Sequence, residues 1–311
     1  MADDQTRSAA PPAPPKTAWV FSGGGSLGAV QVGMMQALAR AGVVPDCIVG
    51  ASVGALNGAI FAQDPTPARA DALADLWMSL RREDVFPLSL WAGFRALVLK
   101  RDHVVAPEAL QRLLDRALQV QRFEQMKIPL HIVASDALNG EEVVLSSGDV
   151  RTALLASAAI PVVFPSVHYQ GRYLVDGGVS SNTPITSAMQ QGATRLIVLP
   201  TGTSCGAREP PHHMAALALH MLSLLTMRQL DRDIARYQRD VQIIIVPPLC
   251  PLNVSVFDFS HTQSLIDQAR EQTQKWLADD GLAQTGALHV PLAHSHQPHD
   301  PDHACGLPAV D

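Results

Sequence analysis

The sequence predicts an α/β fold: three layers, with helices on both faces of a mainly parallel central sheet. Three observations carry this. An apolar strand runs into a glycine turn and then a helix; that unit is repeated at once; and short apolar runs alternate with helical periods further along. TAWVFS, from Thr17, reads as a buried strand, Gly23-Gly24-Gly25 as its turn, and Leu27 to Ala41 as a helix stopped by Gly42. CIVGAS is a second strand feeding a helix over Val53 to Ala62. Further strands are expected at Leu130–Ser135, Glu142–Leu145, Tyr173–Val175, Arg195–Leu199 and Gln242–Val246. Helices are expected around Pro67–Leu80, Ala106–Ala117, Thr183–Gln191, His212–Tyr237 and His261–Asp279.

With 311 residues, 47% of them hydrophobic and 17% charged, the chain can bury one sizeable sheet-based core. Residues 17–280 are expected to form that domain, between a Pro/Ala-rich tail (1–16) and a loop-like His/Pro-rich tail (281–311). The net charge of -6, with no concentrated basic stripe, argues against a nucleic-acid partner. The four cysteines are widely spaced without a CxxC pair, which suits a reducing compartment; a cytoplasmic protein is expected. MADDQTRSAAPPAPPK lacks the apolar centre of a secretory signal, and no uninterrupted apolar run reaches the length of a membrane span. His294, His296, His299 and His303 do not make a recognised tetrahedral ligand set, so no metal or other cofactor is expected.

Gly50-Ala51-Ser52-Val53-Gly54 fits GxSxG where a strand meets a helix. A sharp elbow there strains the serine backbone and exposes its hydroxyl at a helix N-terminus, while small neighbours let the flanking segments pass closely. The other reading is a tight turn with a capping serine. Upstream, consecutive glycines turn backbone N–H groups toward one point, so Gly23, Gly24, Gly25 and Ser26 are candidate donors to an oxyanion. The same loop fits GxGxxG through Gly23, Gly25 and Gly28, but a dinucleotide site expects an acidic residue at the end of the second strand. Ser52 stands there instead.

A serine nucleophile needs a base. The candidate histidines His103, His131, His168, His220 and His261 have no motif around them that announces catalysis. Tyr173-Leu174-Val175-Asp176-Gly177-Gly178 drives an apolar strand into an aspartate and two permissive glycines, either a reactive edge or an Asp-Gly turn.

GGGSLG, GASVG and DGG, in that order, together with ASAAIPVVFP (Ala156–Pro165) and SSNTP (Ser180–Pro184), resemble the signature blocks of patatin-like phospholipases. The likeness runs from about Ala18 to Leu277. It implies the patatin-type α/β fold and a serine acyl hydrolase cleaving lipid carboxylic esters, with Ser52 as nucleophile and Asp176 as the proton acceptor of a Ser–Asp dyad. It also implies an oxyanion hole from N–H groups of Gly24, Gly25 and Ser26, with Gly50, Gly54, Gly177, Gly178 and Asn182 as supporting positions. Many members carry Arg or Lys where this chain has Leu27. Competing readings are an acyltransferase, a histidine-dependent esterase and a non-catalytic binding protein of the same fold.

Two apolar stretches bear on the substrate. Val85 to Leu99, bracketed by Arg81-Arg82 and Lys100-Arg101, is either a lid making peripheral membrane contact or an ordinary packed element. Met214 to Met227 is apolar on nearly all sides and is expected to be a buried core helix, the alternative being a methionine-rich wall around an acyl chain.

Overall fold

The computed structural model describes residues 16–86, 105–202, 214–250, 252 and 254–283. The strands β1 (Thr17–Phe21), β2 (Cys47–Ala51), β3 (Leu130–Asp136), β4 (Glu142–Leu145), β5 (Val167–Tyr169), β6 (Arg172–Asp176), β7 (Arg195–Leu199) and β8 (Gln242–Ile245) form one eight-stranded sheet. Its pairing order is β5-β6-β3-β2-β1-β7-β8, with β4 also paired to β3. The run β3-β2-β1-β7-β8 is parallel throughout, and the antiparallel pairs, β3–β4, β3–β6 and β5–β6, gather at the β3–β6 end. The sheet is mostly parallel, as expected.

β1 and β2 are buried along their whole length, which is why they read as continuous apolar runs rather than alternating ones. Alternation appears instead as two cores. Trp19, Phe21, Ile48, Ile132 and Ile197 face one side, and Ala18, Val20, Val49, Val133 and Val198 the other. The first side is covered by α1 (Gly28–Arg40), α2 (Val53–Ala62), α3 (Pro67–Ser79) and a late helix over Thr262–Ala278. Trp19 stacks on Phe61 of α2 at 5.2 Å between ring centroids. The second side is covered by a helix over Ile185–Gln190 and the C-terminal part of one over Met214–Tyr237.

In chain order the remaining helices are α4 (Arg82–Val85), α5 (Glu108–Ala117) and α6 (Val150–Ser157); the three just described become α7 (Ile185–Gln190), α8 (Met214–Tyr237) and α9 (Thr262–Ala278). The expected elements are present with ends shifted by a residue or two. α4, α6 and β5 were not expected from the sequence; at three to eight residues they are too short to display a hydrophobic period.

Register on β3 decides where the strand ends lie. Val133 pairs with both Ala51 of β2 and Val144 of β4, and Ala134 pairs with both Val143 of β4 and Asp176 of β6. A strand residue has one partner per edge. β4 therefore occupies one edge of β3, while β2 and β6 share the other and abut where β2 gives way to Ser52.

The expectation of a buried core helix over Met214 to Met227 is overturned. Leu217, Met221, Leu222, Leu224 and Leu225 are exposed, and among the α8 residues whose side chains are described the first to be buried is Leu230. The sequence shows only that the run is apolar; what it packs against is set by where the sheet ends. Of the stretch 85–99, only Val85 and Phe86 lie within the described residues, and both N- and C-terminal tail assignments fall almost wholly outside them.

Candidate active site

Ser52 sits between β2 and α2 with φ 52° and ψ −128°, a conformation that side chains rarely adopt and that costs of order 1–3 kcal/mol. Two features hold it. A Cβ on Gly54 would come within 2.6 Å of the Phe21 and Ser22 carbonyl oxygens, so only glycine lets α2 start this close to β1. The Ser52 backbone N–H donates to Ser157 Oγ at 2.9 Å, and Ser157 Oγ donates to the Val133 carbonyl at 2.6 Å. The elbow is thereby tied to the floor of the sheet.

Asp176 closes β6. Its Oδ2 accepts the Ser52 Oγ–H at 2.6 Å, and its Oδ1 accepts the Gly178 N–H at 2.7 Å. The Asp176 N–H donates to the Ala159 carbonyl at 2.9 Å, and Ser135 Oγ donates to the Asp176 carbonyl at 2.9 Å. The carboxyl group is buried. Burial pushes its pKa from 3.8 up to about 6, against the hydrogen bonds from Ser52 and Gly178, which favour the charged form.

The glycine loop faces the same place. Gly25 and Ser52 line one cavity, and a Cβ on Gly23 would meet the Ser52 Cβ at 3.2 Å. Two of the four candidate donors are already engaged. Gly23 N–H donates to the Asn182 carbonyl at 3.0 Å, and Ser26 N–H to the Val256 carbonyl at 2.8 Å. The N–H groups of Gly24 and Gly25 have no acceptor among the described residues. Asn182 Nδ2 (3.4 Å) and Thr201 Oγ1 (2.8 Å) both donate to the Gly23 carbonyl, clamping the loop from the far side.

A buried polar chain supports that clamp. Trp77 Nε1 donates to Asn57 Oδ1, Asn57 Nδ2 to Gln31 Oε1, and Gln31 Nε2 to the carbonyls of Ser22 and Leu199. With all these groups paired inside an apolar core, the network specifies one loop position. Sequence reasoning missed Gln31, Asn57, Ser157 and Thr201. Their only signal is a polar residue interrupting an apolar stretch, as Gln31 does in AVQVGMM and Asn57 in VGALNGAIFA.

The cavity at Ser52 encloses about 490 Å³ of empty space, part of it open to solvent. Its walls are almost wholly apolar: Leu56, Trp77, Leu110, Leu113, Phe164 and Phe259. None of the described histidines hydrogen-bonds Ser52 or Asp176. His131, lowered in pKa by burial, lies on β3, and His261 is exposed beside Asp258 at 3.7 Å. Among the described residues no cluster of three or more His, Cys, Asp and Glu is placed to hold a metal ion.

The family model of the patatin-like phospholipases matches residues 19–189, more than half of the chain. The chain belongs to the patatin-like phospholipase family. Among its relatives, an uncharacterised NTE family protein of Mycobacterium tuberculosis is 28% identical over 224 residues, covering 71% of this chain and 59% of that protein. Human patatin-like phospholipase domain-containing protein 6 is 26% identical over 188 residues, covering 60% of this chain. The chain spans 13% of the length of that human protein, so it corresponds to one portion of it. Among solved structures, VipD from Legionella pneumophila gives a TM-score of 0.46 at 15% identity, covering 86% of this chain and 67% of that one. Human GIVD cytosolic phospholipase A2 gives 0.45 at 12% identity, covering 86% and 58%.

Proposed function

We propose that this patatin-like protein is a serine hydrolase of lipid carboxylic esters, of phospholipase A or lysophospholipase type, with Ser52 as nucleophile and Asp176 as its proton acceptor. The observation that carries the reading is the 2.6 Å hydrogen bond from Ser52 Oγ to Asp176 Oδ2 beside an apolar cavity that Ser52 lines.

The acyl chain lies in the cavity and presents its ester carbonyl to Ser52. As Ser52 Oγ bonds to the carbonyl carbon, its proton passes to Asp176 Oδ2. The oxyanion is received by the N–H groups of Gly24 and Gly25, while Gly23 and Ser26, bonded elsewhere, hold the loop in shape. Collapse breaks the bond to the alcohol oxygen, which takes the proton from Asp176 and leaves. Water then attacks the acyl-enzyme and gives a proton to Asp176; the Ser52 ester bond breaks, the proton returns to Ser52 Oγ, and the acid departs. An ordinary aspartate is too weak a base for this at neutral pH, and burial is what narrows the gap.

A fluorophosphonate probe is expected to label the wild-type protein at Ser52 and to leave Ser52→Ala unlabelled. Incubation with mixed lipid extracts should release free fatty acids. A wild-type protein inert to both reagents would leave a binding scaffold as the better reading.

The raised Asp176 pKa also sets a pH limb. For a soluble ester, kcat/KM should fall about tenfold per unit below pH 6, because the free enzyme needs Asp176 ionised, and should level above it. A profile flat down to pH 4.5 would remove Asp176 as the base.

A further inference from the structure

We infer that the N-terminal half of α8 is a lipid-docking element that seats the active-site mouth on a membrane or lipid aggregate; this rests on the lipid-ester reading above. The argument begins with direction. α8 joins the parallel neighbours β7 and β8, so it runs against the strands and begins at their carboxyl edge, where Ser52 and Asp176 stand. It then overshoots. Its 24 residues span about 36 Å, whereas the five residues of β7 span roughly 17 Å. Gln229 Nε2 donates to the Ser180 carbonyl at 2.7 Å, which fixes the point at which the helix passes the loop following Asp176. Residues 214–228 therefore project past the edge that carries the dyad.

That projection is built for an apolar medium. Residues 214–227 contain no Asp, Glu, Lys or Arg; Arg228 begins the charged part of the helix, where Asp231, Arg232, Asp233 and Arg236 follow. The exposed side chains Leu217, Met221, Leu222, Leu224 and Leu225 spread over about 160° of the helix circumference at 100° per residue. A coiled-coil partner would need only a narrow stripe; a wide face suits lipid, which contacts it from every direction.

The same edge carries further exposed apolar groups. Val162 is 71% exposed two residues after the cavity-lining Ile160, Val179 is 45% exposed in the loop after Asp176, and Leu138 is 83% exposed in the turn after β3. The other large apolar side chains exposed among the described residues are Val44 ahead of β2, at the opposite end, Met78 on α3 and Tyr173 on β6. The chain carries a net charge of -6, so attraction to anionic headgroups does not supply the binding; apolar insertion does. No helix among the described residues is long and apolar enough to cross a membrane, so insertion is shallow.

The test separates docking from catalysis. Full-length Ser52→Ala protein, which cannot consume the lipid, is sedimented with phosphatidylcholine vesicles at about 0.1 and about 1 M salt. Binding is expected at both. Adding Met221→Asp and Leu225→Asp should lower the partition coefficient at least about tenfold, since two exposed apolar groups become charged. In the active background the same pair should leave turnover of a monomeric short-chain ester unchanged. Undiminished vesicle binding by the double variant overturns the proposal. So does a Ser52→Ala protein that ignores vesicles but forms a dimer that the double variant dissociates, which would assign the face to a second copy. Failure of wild type on the short-chain ester counts against the catalytic reading and leaves the vesicle result to be judged by itself.

Discussion

Replacing Asp176 by Asn is expected to lower kcat/KM for an ester by about 10⁴-fold, the scale on which removal of a proton-handling group acts. The geometry explains why this variant is informative. An Asn oxygen can still accept the Gly178 N–H now held at 2.7 Å, so the loop after β6 has no reason to move. What is lost is the proton acceptor 2.6 Å from Ser52 Oγ. The same substitution should stabilise the fold at neutral pH. Because the Asp176 carboxyl titrates near 6 when folded and near 3.8 otherwise, its ionised form disfavours the native state. That penalty is absent below about pH 3.8, grows between 3.8 and 6, and is complete above 6. Two pKa units correspond to about 3 kcal/mol at most, so Asp176→Asn should raise the midpoint of thermal unfolding at pH 7.5 but not at pH 3.5. An active and unstabilised Asp176→Asn protein would sink both the dyad and the burial argument.

Gly25→Ala is expected to lower kcat by at least about 10²- to 10³-fold, the effect of losing a single oxyanion donor. Gly25 has φ +58°, and a Cβ there would lie 2.5 Å from the Val256 carbonyl oxygen. That carbonyl already accepts the Ser26 N–H at 2.8 Å, so it cannot retreat without releasing the loop. The loop must shift instead, taking the Gly24 and Gly25 amides away from the cavity. Because Ser52 and Asp176 are held by other elements, fluorophosphonate labelling should persist, only more slowly. Full turnover in Gly25→Ala would show that these amides do not receive the oxyanion.

Much of this arrangement is legible in the sequence, for physical reasons that differ from residue to residue. The Ser52 elbow can be read because a parallel-sheet strand buried on both faces is an unbroken apolar run, and because glycine at 50 and 54 marks close backbone passage. Asp176 can be read because an apolar run ends in a charge followed by two glycines. The pairing of the two cannot be read, since it depends on the register of Asp176 against Ala134, far back in the chain on β3, and only the resemblance supplies it. Gln31, Asn57 and Ser157 were missed because a polar side chain in an apolar helix does not say what it bonds. The first half of α8 was misjudged for the converse reason: apolarity records a preference for leaving water, while whether protein or something else takes the water's place is decided by how far the helix outruns the sheet.

The pairing on β3 has a further consequence. Val133 and Ala134 are adjacent in the chain, and they pair with Ala51, next to Ser52, and with Asp176 along a single edge. The gap between Ser52 and Asp176 is thus gauged by one peptide unit of β3. Closing over substrate is not needed to bring the pair together, and insertions in the long stretches between Ser52 and Asp176 should leave their separation alone. A one-residue slip of β3 against β2 or β6 alone would not: it would change their separation by about 3.3 Å.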